Sequence, residues 1–228
     1  MKVLALETAT TAGSIAIVSA NEGLIGEVKI NVKIAHAERL MKSIDWVLNA
    51  SSTSINKIDA FAISIGPGSF TGLRIGLSTA KGYSYATSKP LVPVPTLDAF
   101  ARMLPFCSHL ICPMLDARKN EVYTGLYRWE QGICRKIIPE TAAIPQDFLK
   151  EIKEPTVFMG EGAKIYKKII MDTLRNNASF APASNMSPSA SSVAEIAIEK
   201  LKEGISSDPV SLTPLYIRKS EAEINWKE

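Results

Sequence analysis

A pattern that occurs twice along the chain constrains its fold more than any other feature. The segments VLALETATTAGSIAIV (residues 3–18) and LICPMLDARKNEVYTGLY (residues 110–127) each predict an apolar strand, an acid followed by a short turn, and a return strand with small residues. Both continue into a third strand and then alternate helix and strand, so the predicted order is ββ-β-α-β-α, twice. Strands that begin as a meander and end as crossovers predict a mixed sheet with helices on its faces.

This duplicated order indicates an α/β protein of two ribonuclease H-like lobes, the architecture of the actin, Hsp70 and sugar-kinase (ASKHA) superfamily. The predicted N-terminal lobe spans residues 1–106, and the C-terminal lobe with its tail spans residues 107–228. The second copy is shorter in its predicted elements, so that lobe is expected to be reduced. In proteins of that superfamily, nucleotide lies between the two copies.

The composition argues against several classes of protein. With a net charge of +3, the chain lacks the basic excess typical of a dedicated nucleic-acid binder. No run approaches the roughly 20 apolar residues that cross a bilayer. The three cysteines, Cys107, Cys112 and Cys134, lack zinc-ligand spacing, so we expect reduced thiols. A cytoplasmic protein with no membrane partner follows from these features.

A glycine-rich segment, GPGSFTGLRIG at residues 66–76, follows an apolar strand and opens a predicted helix. It lacks the GK[ST] ending of a Walker loop, and Thr71 takes the place of the third glycine of G-x-G-x-x-G. Free N–H groups at the start of a helix nevertheless attract anions. An anion or nucleotide loop is therefore one interpretation, with these residues: Gly66, Gly68, Ser69 and Thr71.

The second interpretation of this segment is close packing of the helix. Gly72, Gly76 and Ala80 are four residues apart, so they form a row along one side. Glycine inside a helix costs about 1 kcal/mol relative to alanine. Two glycines therefore indicate that the helix lies very close to a sheet or to another helix, with Ser69 or Thr71 as its N-cap. The residues favour packing over phosphate binding.

The side chains that could carry chemistry are isolated from one another. Glu7 and Asp116 each follow the first strand of a copy, and a lone acid there is more typical of a turn or a cap than of a carboxylate cluster. His36 and His109 occupy unrelated positions and lack a third ligand with suitable spacing. The sequence also lacks a Gly-x-Ser-x-Gly motif. These residues predict neither a catalytic group nor a metal site.

Several motifs, taken together and in order, resemble the TsaB (YeaZ) family over nearly the whole chain. The matching pieces are ALETATTAGSIAI, HAERL, GPGSFTGLRIG, KPLVPVPTLDAFA, LDARKNEVY and PLYIRKSEA. That family serves the synthesis of N6-threonylcarbamoyladenosine at position 37 of tRNAs that read ANN codons. There, TsaC makes threonylcarbamoyl-adenylate, the related protein TsaD transfers the threonylcarbamoyl group to adenine, and TsaE is a small ATPase.

The resemblance implies a non-catalytic scaffold for TsaD. TsaD-like proteins have two metal-binding histidines, four residues apart, after the strand that follows the glycine-rich helix. Aligned through KPLVPVPTLDAF, those positions fall on Thr96 and Phe100. Neither side chain replaces an imidazole as a metal ligand. The chain itself is expected to need no cofactor, with ATP or ADP bound only at the level of the complex.

The resemblance also implies partners and an interface. In the family the first two helices, here about residues 36–50 and 69–87, contact TsaD or form a homodimer in its absence. TsaE completes the complex, and tRNA is reached through it. The expected interface residues are Trp46, Leu73, Ile75, Leu77, Gly72, Gly76 and Ala80. The rival interpretation is an enzyme of the same superfamily, either an ATP-dependent small-molecule phosphotransferase or a peptidase.

Overall fold

The structure, a computed structural model, describes residues 1–32 and 36–218, and describes only the backbone of residues 36 and 37. The side chain of His36 therefore lies outside the described part. The chain divides into two compact units. The first consists of Met1–Phe100 and Pro188–Leu215, and the second of Ala101–Ser187 with the described residues after Leu215.

Each unit contains one five-stranded sheet. The first sheet contains β1 (Lys2–Glu7), β2 (Ala12–Ser19), β3 (Gly23–Asn31), β4 (Ala60–Ser64) and β5 (Leu91–Val94); the second contains β6 (Leu110–Arg118), β7 (Glu121–Glu130), β8 (Ile133–Ala143), β9 (Thr156–Met159) and β10 (Ala178–Phe180). The orders are β3-β2-β1-β4-β5 and β8-β7-β6-β9-β10. In both sheets an antiparallel meander is followed by two strands parallel to the first. The predicted duplication and fold class are confirmed.

The helices differ in length between the two copies. They are α1 (His36–Ala50), α2 (Phe70–Thr87), α3 (Thr96–Ala101), α4 (Pro145–Phe148), α5 (Glu161–Ile165), α6 (Lys167–Leu174) and α7 (Ala190–Lys202), with 3-10 turns at Ile55–Lys57, Leu149–Glu151, Arg175–Asn177 and Ala183–Asn185. In the part of the second unit that the structure describes, the helices after its first strand are the short α4, α5 and α6, as expected for a reduced lobe. Within the described residues, none of the helices has the length and apolarity that crossing a membrane requires.

Both faces of the first sheet are buried, because β1 alternates its side chains between two helical layers. Leu4 and Leu6 face α1 and α2. Val3 and Ala5 face α7. The residues that α1 and α2 contribute to their side of the core include Leu40, Ile44, Val47, Leu77 and Ala80.

Helix α7 belongs to the first unit, although its sequence lies within the predicted C-terminal lobe, residues 107–228. Its Val193, Ala194 and Ala197 pack against the small residues of β1, β2 and β4. The second unit begins at Ala101, close to the predicted boundary, but the first unit is not continuous in sequence. The predicted lobes are continuous in sequence, and for that reason α7 was assigned to the C-terminal lobe, whereas it packs in the first unit.

The second unit has its own apolar core. Strands β6, β7 and β9 pack there with α4, α5 and α6. The core includes Leu110, Met114, Val122, Leu126, Phe148, Phe158 and Ile170. Between β9 and the short edge strand β10, the chain forms the two helices α5 and α6.

Candidate functional site

The glycine-rich loop joins β4 to α2 and is held by hydrogen bonds within the first unit. The Gly66 N–H donates to Thr96 Oγ1 (3.1 Å), and Gly66 O accepts from the Thr96 N–H (2.8 Å). The Ser69 N–H donates to Ala9 O (2.6 Å). Ser69 Oγ accepts from the Gly72 N–H (3.3 Å), which confirms Ser69 as the N-cap of α2. The N–H groups of Gly66, Ser69 and Gly72 therefore already donate to acceptors within this protein.

Two loop glycines allow backbone to approach backbone. Gly66 has φ +119°, and a Cβ there would lie 2.6 Å from Leu215 O. A Cβ at Gly68 would lie 2.7 Å from Ala9 Cβ. The loop is thus pressed against the β1–β2 turn on one side and against the segment around Leu215 on the other. This geometry favours the packing interpretation, and the role of the loop as an anion or nucleotide site stays a prediction.

The small-residue row of α2 faces the sheet of its own unit. Gly72, Gly76 and Ala80 are all buried. A Cβ at Gly76 would come well inside 3.0 Å of Thr8 Oγ1 and would lie 3.0 Å from Ile63 Cδ1. The predicted close packing is confirmed at Gly76, with the sheet as its target. The expectation that this row admits a partner's helix is wrong, since the sheet occupies it.

Leu73 and Leu77 do not offer apolar surface to a partner as the sequence analysis expected. They are only 1% and 6% exposed, because they lie beside the small-residue row on the same inward side of α2. Ile75 is half-buried and packs at the edge of the same core. Of these three expected interface residues, only Ile75 is partly accessible to solvent.

The outer surface of α1 and α2 carries large exposed side chains. Trp46, one of the expected interface residues, is 57% exposed, and Tyr85 is 81% exposed. Met41 of α1 is also exposed. The two helices are neighbours. Burial, and then the charge of Asp45 on α1, raise the pKa of Tyr83 on α2. Of these three exposed residues, Trp46 was expected at the interface, whereas Met41 and Tyr85 were not predicted.

Thr96 and Phe100 are both fully buried in α3. The Thr96 hydroxyl accepts the Gly66 amide hydrogen, and the Phe100 ring lies in the core. These two positions therefore hold the glycine-rich loop and fill space. No group of three or more His, Cys, Asp or Glu side chains suited to a metal ion occurs among the residues that the structure describes.

The two isolated acids have equivalent local roles in the two copies. Glu7 Oε1 accepts from the N–H of Ala9 (2.6 Å), and Asp116 Oδ1 accepts from the N–H of Arg118 (2.9 Å). Each acid bonds the amide two residues later, so their assignment as turn residues is confirmed. Burial raises the pKa of Glu7 to about 7, although its bond to Ala9 acts in the opposite direction.

Two further carboxylates have structural contacts that the sequence analysis missed. Glu27 of β3 accepts hydroxyl hydrogens from Ser14 (2.6 Å) and Ser191 (3.0 Å), and so lies at the N-terminus of α7. Burial, and then the charge of Asp116, raise the pKa of Glu161 at the start of α5. Both arrangements join residues distant in sequence, and no local signal could have indicated them.

The cysteines are free thiols, as predicted. Cys112 is buried in β6, where its sulfur lies 3.4 Å from Thr124 Oγ1. Burial raises the pKa of the Cys112 thiol to about 12, against the opposing effect of that contact. Cys107 and Cys134 are partly exposed. A nearly permanently protonated Cys112 is a packing residue.

Comparison with known proteins identifies the family. Residues 14–226 match the family model described as TsaD: tRNA N6-adenosine threonylcarbamoyltransferase. The tRNA threonylcarbamoyladenosine biosynthesis protein TsaB of Bacillus subtilis (strain 168) is 30% identical over 231 residues, covering 100% of this chain and 99% of that protein. The chain belongs to the TsaB (YeaZ) family.

Other TsaB proteins show the same full-length correspondence. TsaB of Escherichia coli (strain K12) is 29% identical over 237 residues, covering 100% of this chain and 98% of that protein. Among solved structures, a Pseudomonas aeruginosa protein described as similar to peptidase YEAZ superposes with a TM-score of 0.80. It is 25% identical, and the match covers 95% of this chain and 99% of that one. The TsaB architecture therefore extends over both units.

Proposed function

We propose that this chain is a non-catalytic subunit required for N6-threonylcarbamoylation of adenosine 37 in tRNAs that read ANN codons. It binds the catalytic subunit TsaD and supports its activity. The ATPase TsaE completes the assembly, and tRNA is bound through the complex. In the absence of TsaD, the chain pairs with a second copy of itself. ATP or ADP binds only at the level of the complex.

The observation that carries this proposal is the similarity to TsaB over the whole chain. It is supported by how the chain uses the residues where a catalytic relative would be expected to hold a metal. Thr96 binds the backbone of the glycine-rich loop, and Phe100 fills the core. Glu7 and Asp116 each bind a turn amide. These side chains have structural tasks, which favours a supporting role over catalysis.

The outer surface of α1 and α2 is the proposed binding surface. Trp46 and Tyr85 are the residue types most often found as binding hot spots, and both are exposed here. Met41 adds a flexible apolar side chain to the same pair of helices. Because the small-residue row of α2 packs on the sheet, contact with a partner falls to these outer side chains.

A reconstituted modification reaction tests the function. Purified TsaD, TsaE, threonylcarbamoyl-adenylate, ATP and an ANN-reading tRNA are combined with or without this chain, and modified adenosine is measured by mass spectrometry of digested tRNA. We expect product only when the chain is present, and none from the chain alone. Full modification without it, or ATP-dependent phosphorylation or peptide cleavage by the lone chain, would overturn the proposal.

Substitution of Trp46 tests the surface. We expect Trp46→Ala to weaken TsaD binding by at least about 30-fold, the effect of a hot spot worth about 2 kcal/mol. The matched control is Ile165→Ala on α5, because Ile165 is 58% exposed and Trp46 is 57% exposed. The control should bind like the parent chain, and thermal melts should show that both variants fold. Equal affinity of the two variants would place the interface elsewhere.

A further inference from the structure

The carboxyl group of Glu7 is fully buried at the end of β1. Its Oε1 accepts the Ala9 amide hydrogen, but its Oε2 has no hydrogen-bond partner among the described residues. Buried polar atoms in folded proteins are nearly always paired. A carboxylate charge held away from water is costly as well, and Glu7 is fully buried. The state of this oxygen therefore requires a physical explanation.

Ser64 provides the complementary group. It ends β4, which runs parallel to β1, and the register that pairs Leu6 with Ile63 brings Ser64 beside Glu7. Ser64 is fully buried, and its Oγ also lacks a hydrogen-bond partner within the described part of the chain. The Ser64 hydroxyl can accept from a protonated Glu7 carboxyl group or donate to an ionised one. Ser64 can therefore pair with Oε2 in either state, and what separates the two states is the cost of burying the carboxylate charge.

We propose that Glu7 is a proton-dependent switch in the first unit. With a proton on Oε2, Glu7 donates to Ser64 Oγ and the β1–β2 turn stays closed against the loop that starts α2. When the proton is lost, the carboxylate draws in water and the contact between turn and loop weakens.

The surroundings of Glu7 favour its neutral form. Burial raises its pKa to about 7; the amide of Ala9, the hydroxyl of Ser64 and the charge of Lys29 lower it by less. Lys29 lies on β3, where Glu27 is the other titratable group facing this region and stabilises the Lys29 cation. Lys29 therefore divides its influence between two carboxyl groups.

Among the described residues, the charge that acts on Glu7 is that of Lys29. Helix α1 contributes Arg39, whose Nη2 donates to Thr11 O (2.6 Å) in the β1–β2 turn. Strand β2 presents Ser14, the cross-strand partner of Glu7, whose hydroxyl donates to Glu27. Helix α7 presents its first amide, because the Ala190 N–H donates to Ser14 Oγ at 3.1 Å. Strand β4 and loop residues 66–72 contain no acid, histidine, cysteine, tyrosine, lysine or arginine. The switch therefore depends on Glu7 with Lys29 and Glu27 as its charged neighbours.

Glu7 is coupled to α2 through the two residues that follow it. The side chain of Thr8 lies against Gly76 of α2. Ala9 O accepts the Ser69 amide hydrogen at 2.6 Å, so the turn and the N-cap of α2 are joined directly. Water can reach an ionised Glu7 from this side only if the turn moves away from the loop. Ionisation should consequently loosen the start of α2.

The sign of the pH effect follows from the raised pKa. Between pH 4.5, the ordinary value, and about pH 7, the folded chain binds a proton that the unfolded chain releases. Stability from Glu7 is therefore greatest below this window and falls as the pH rises through it. The unfolding equilibrium constant should increase about 300-fold across the window and then level off, as far as Glu7 determines it.

The first experiment is a carboxyl titration of the full chain by carbon-detected NMR from pH 4 to 9. Glu7 is assigned by its absence in Glu7→Gln. We expect a midpoint near pH 7. In Ser64→Ala the midpoint should move upward, because the carboxylate loses a charge-assisted donor. A Glu7 midpoint near pH 4.5, its ordinary value, would overturn the proposal without requiring any variant to fold.

The second experiment measures the contact between turn and loop. Hydrogen exchange of the Ser69 and Gly72 amides is followed at pH 5.5 and pH 8, with correction for intrinsic rates. Protection should decrease at the higher pH in the parent chain and stay constant in Glu7→Gln. If protection of these amides does not change while Glu7 titrates, the group binds a proton but operates no switch, and the proposal fails.

Discussion

The packing of α2 predicts that replacing glycine by alanine has opposite effects on the stability of the first unit at Gly76 and at Gly82. In Gly76→Ala, the new Cβ would lie well inside 3.0 Å of Thr8 Oγ1, 3.0 Å from Ile63 Cδ1 and 3.2 Å from Thr8 Cβ. In Gly82→Ala, nothing lies within 4 Å of the new Cβ. Both positions lie within α2, so the change in helix propensity is similar.

The expected magnitudes follow from two opposing terms. Replacing glycine by alanine inside a helix stabilises it by about 1 kcal/mol. Overpacking of a buried site costs about 1–3 kcal/mol, and the upper part of that range applies because Thr8, after β1, and Ile63, in β4, are both fully buried. We expect Gly76→Ala to destabilise the first unit by about 1–2 kcal/mol and Gly82→Ala to stabilise it by up to about 1 kcal/mol.

The measurement must report on the first unit, because the chain contains two compact units and its unfolding need not be a single transition. Native-state hydrogen exchange of the amides in α2 and β1 gives the free energy of opening that unit. A urea titration followed by far-UV circular dichroism gives an independent ranking of the variants. The expected order of stability is Gly82→Ala, then the parent chain, then Gly76→Ala.

Thr8→Ala tests whether the contact with Thr8 is what makes Gly76→Ala destabilising. It removes the Oγ1 atom that the new Cβ would meet, so Gly76→Ala should cost at least about 1 kcal/mol less in that background than alone. If Gly76→Ala proves as stable as Gly82→Ala, the close approach of α2 to the sheet is not what requires glycine at this position. Equal costs in both backgrounds would remove Thr8 from the explanation.

Three further predictions concern contacts described above. Ser69→Ala should destabilise the first unit by about 1 kcal/mol through loss of the α2 N-cap, measured by urea titration, and no loss would argue against the bond to Gly72. Glu27→Ala should cost about 1–3 kcal/mol or more because Ser14 and Ser191 lose a charged acceptor, and exchange protection should fall at the start of α7; protection that is reduced only elsewhere would contradict this. Iodoacetamide at pH 8 should alkylate Cys107 and Cys134 but spare Cys112 until urea is added, as read by peptide mass spectrometry, because burial raises the pKa of Cys112 to about 12; modification of native Cys112 at the rate of the other two would refute its burial.

Local patterns predicted most of the secondary structure, because each element carries its own signal. Leu40, Ile44 and Val47 have the spacing of an amphipathic helix, and in α1 they are buried on one side of it. The apolar strand, turn and return strand predicted both β1–β2 and β6–β7. The i, i+4 spacing of Gly72, Gly76 and Ala80 predicted a closely packed helix, but spacing cannot tell a partner's helix from the sheet beneath. Leu73 and Leu77 were misplaced for the same reason.

Long-range contacts were beyond what the sequence could indicate. The hydroxyl of Ser189 donates to Glu27 across 162 residues, and neither segment carries a motif that points to the other. Ser189 directly precedes α7, but its hydroxyl donates to this distant carboxylate and makes no cap bond to the helix. The placement of Ser64 beside Glu7 likewise depends on the parallel register of β1 and β4, which is a property of the sheet. The contacts between distant residues of the candidate site depend on how the strands and helices are arranged, whereas each of its turns is determined by neighbouring residues.

The placement of α7 has a consequence for synthesis on the ribosome. The small-residue face of the first sheet is complete only when residues 190–202 have been made and have left the exit tunnel. Until then Val3, Ala5 and their neighbours on that face stay uncovered, even though their five strands are already available. We therefore expect a nascent chain stalled after the fifth strand, or the first half of a gene split at its midpoint, to expose this apolar face.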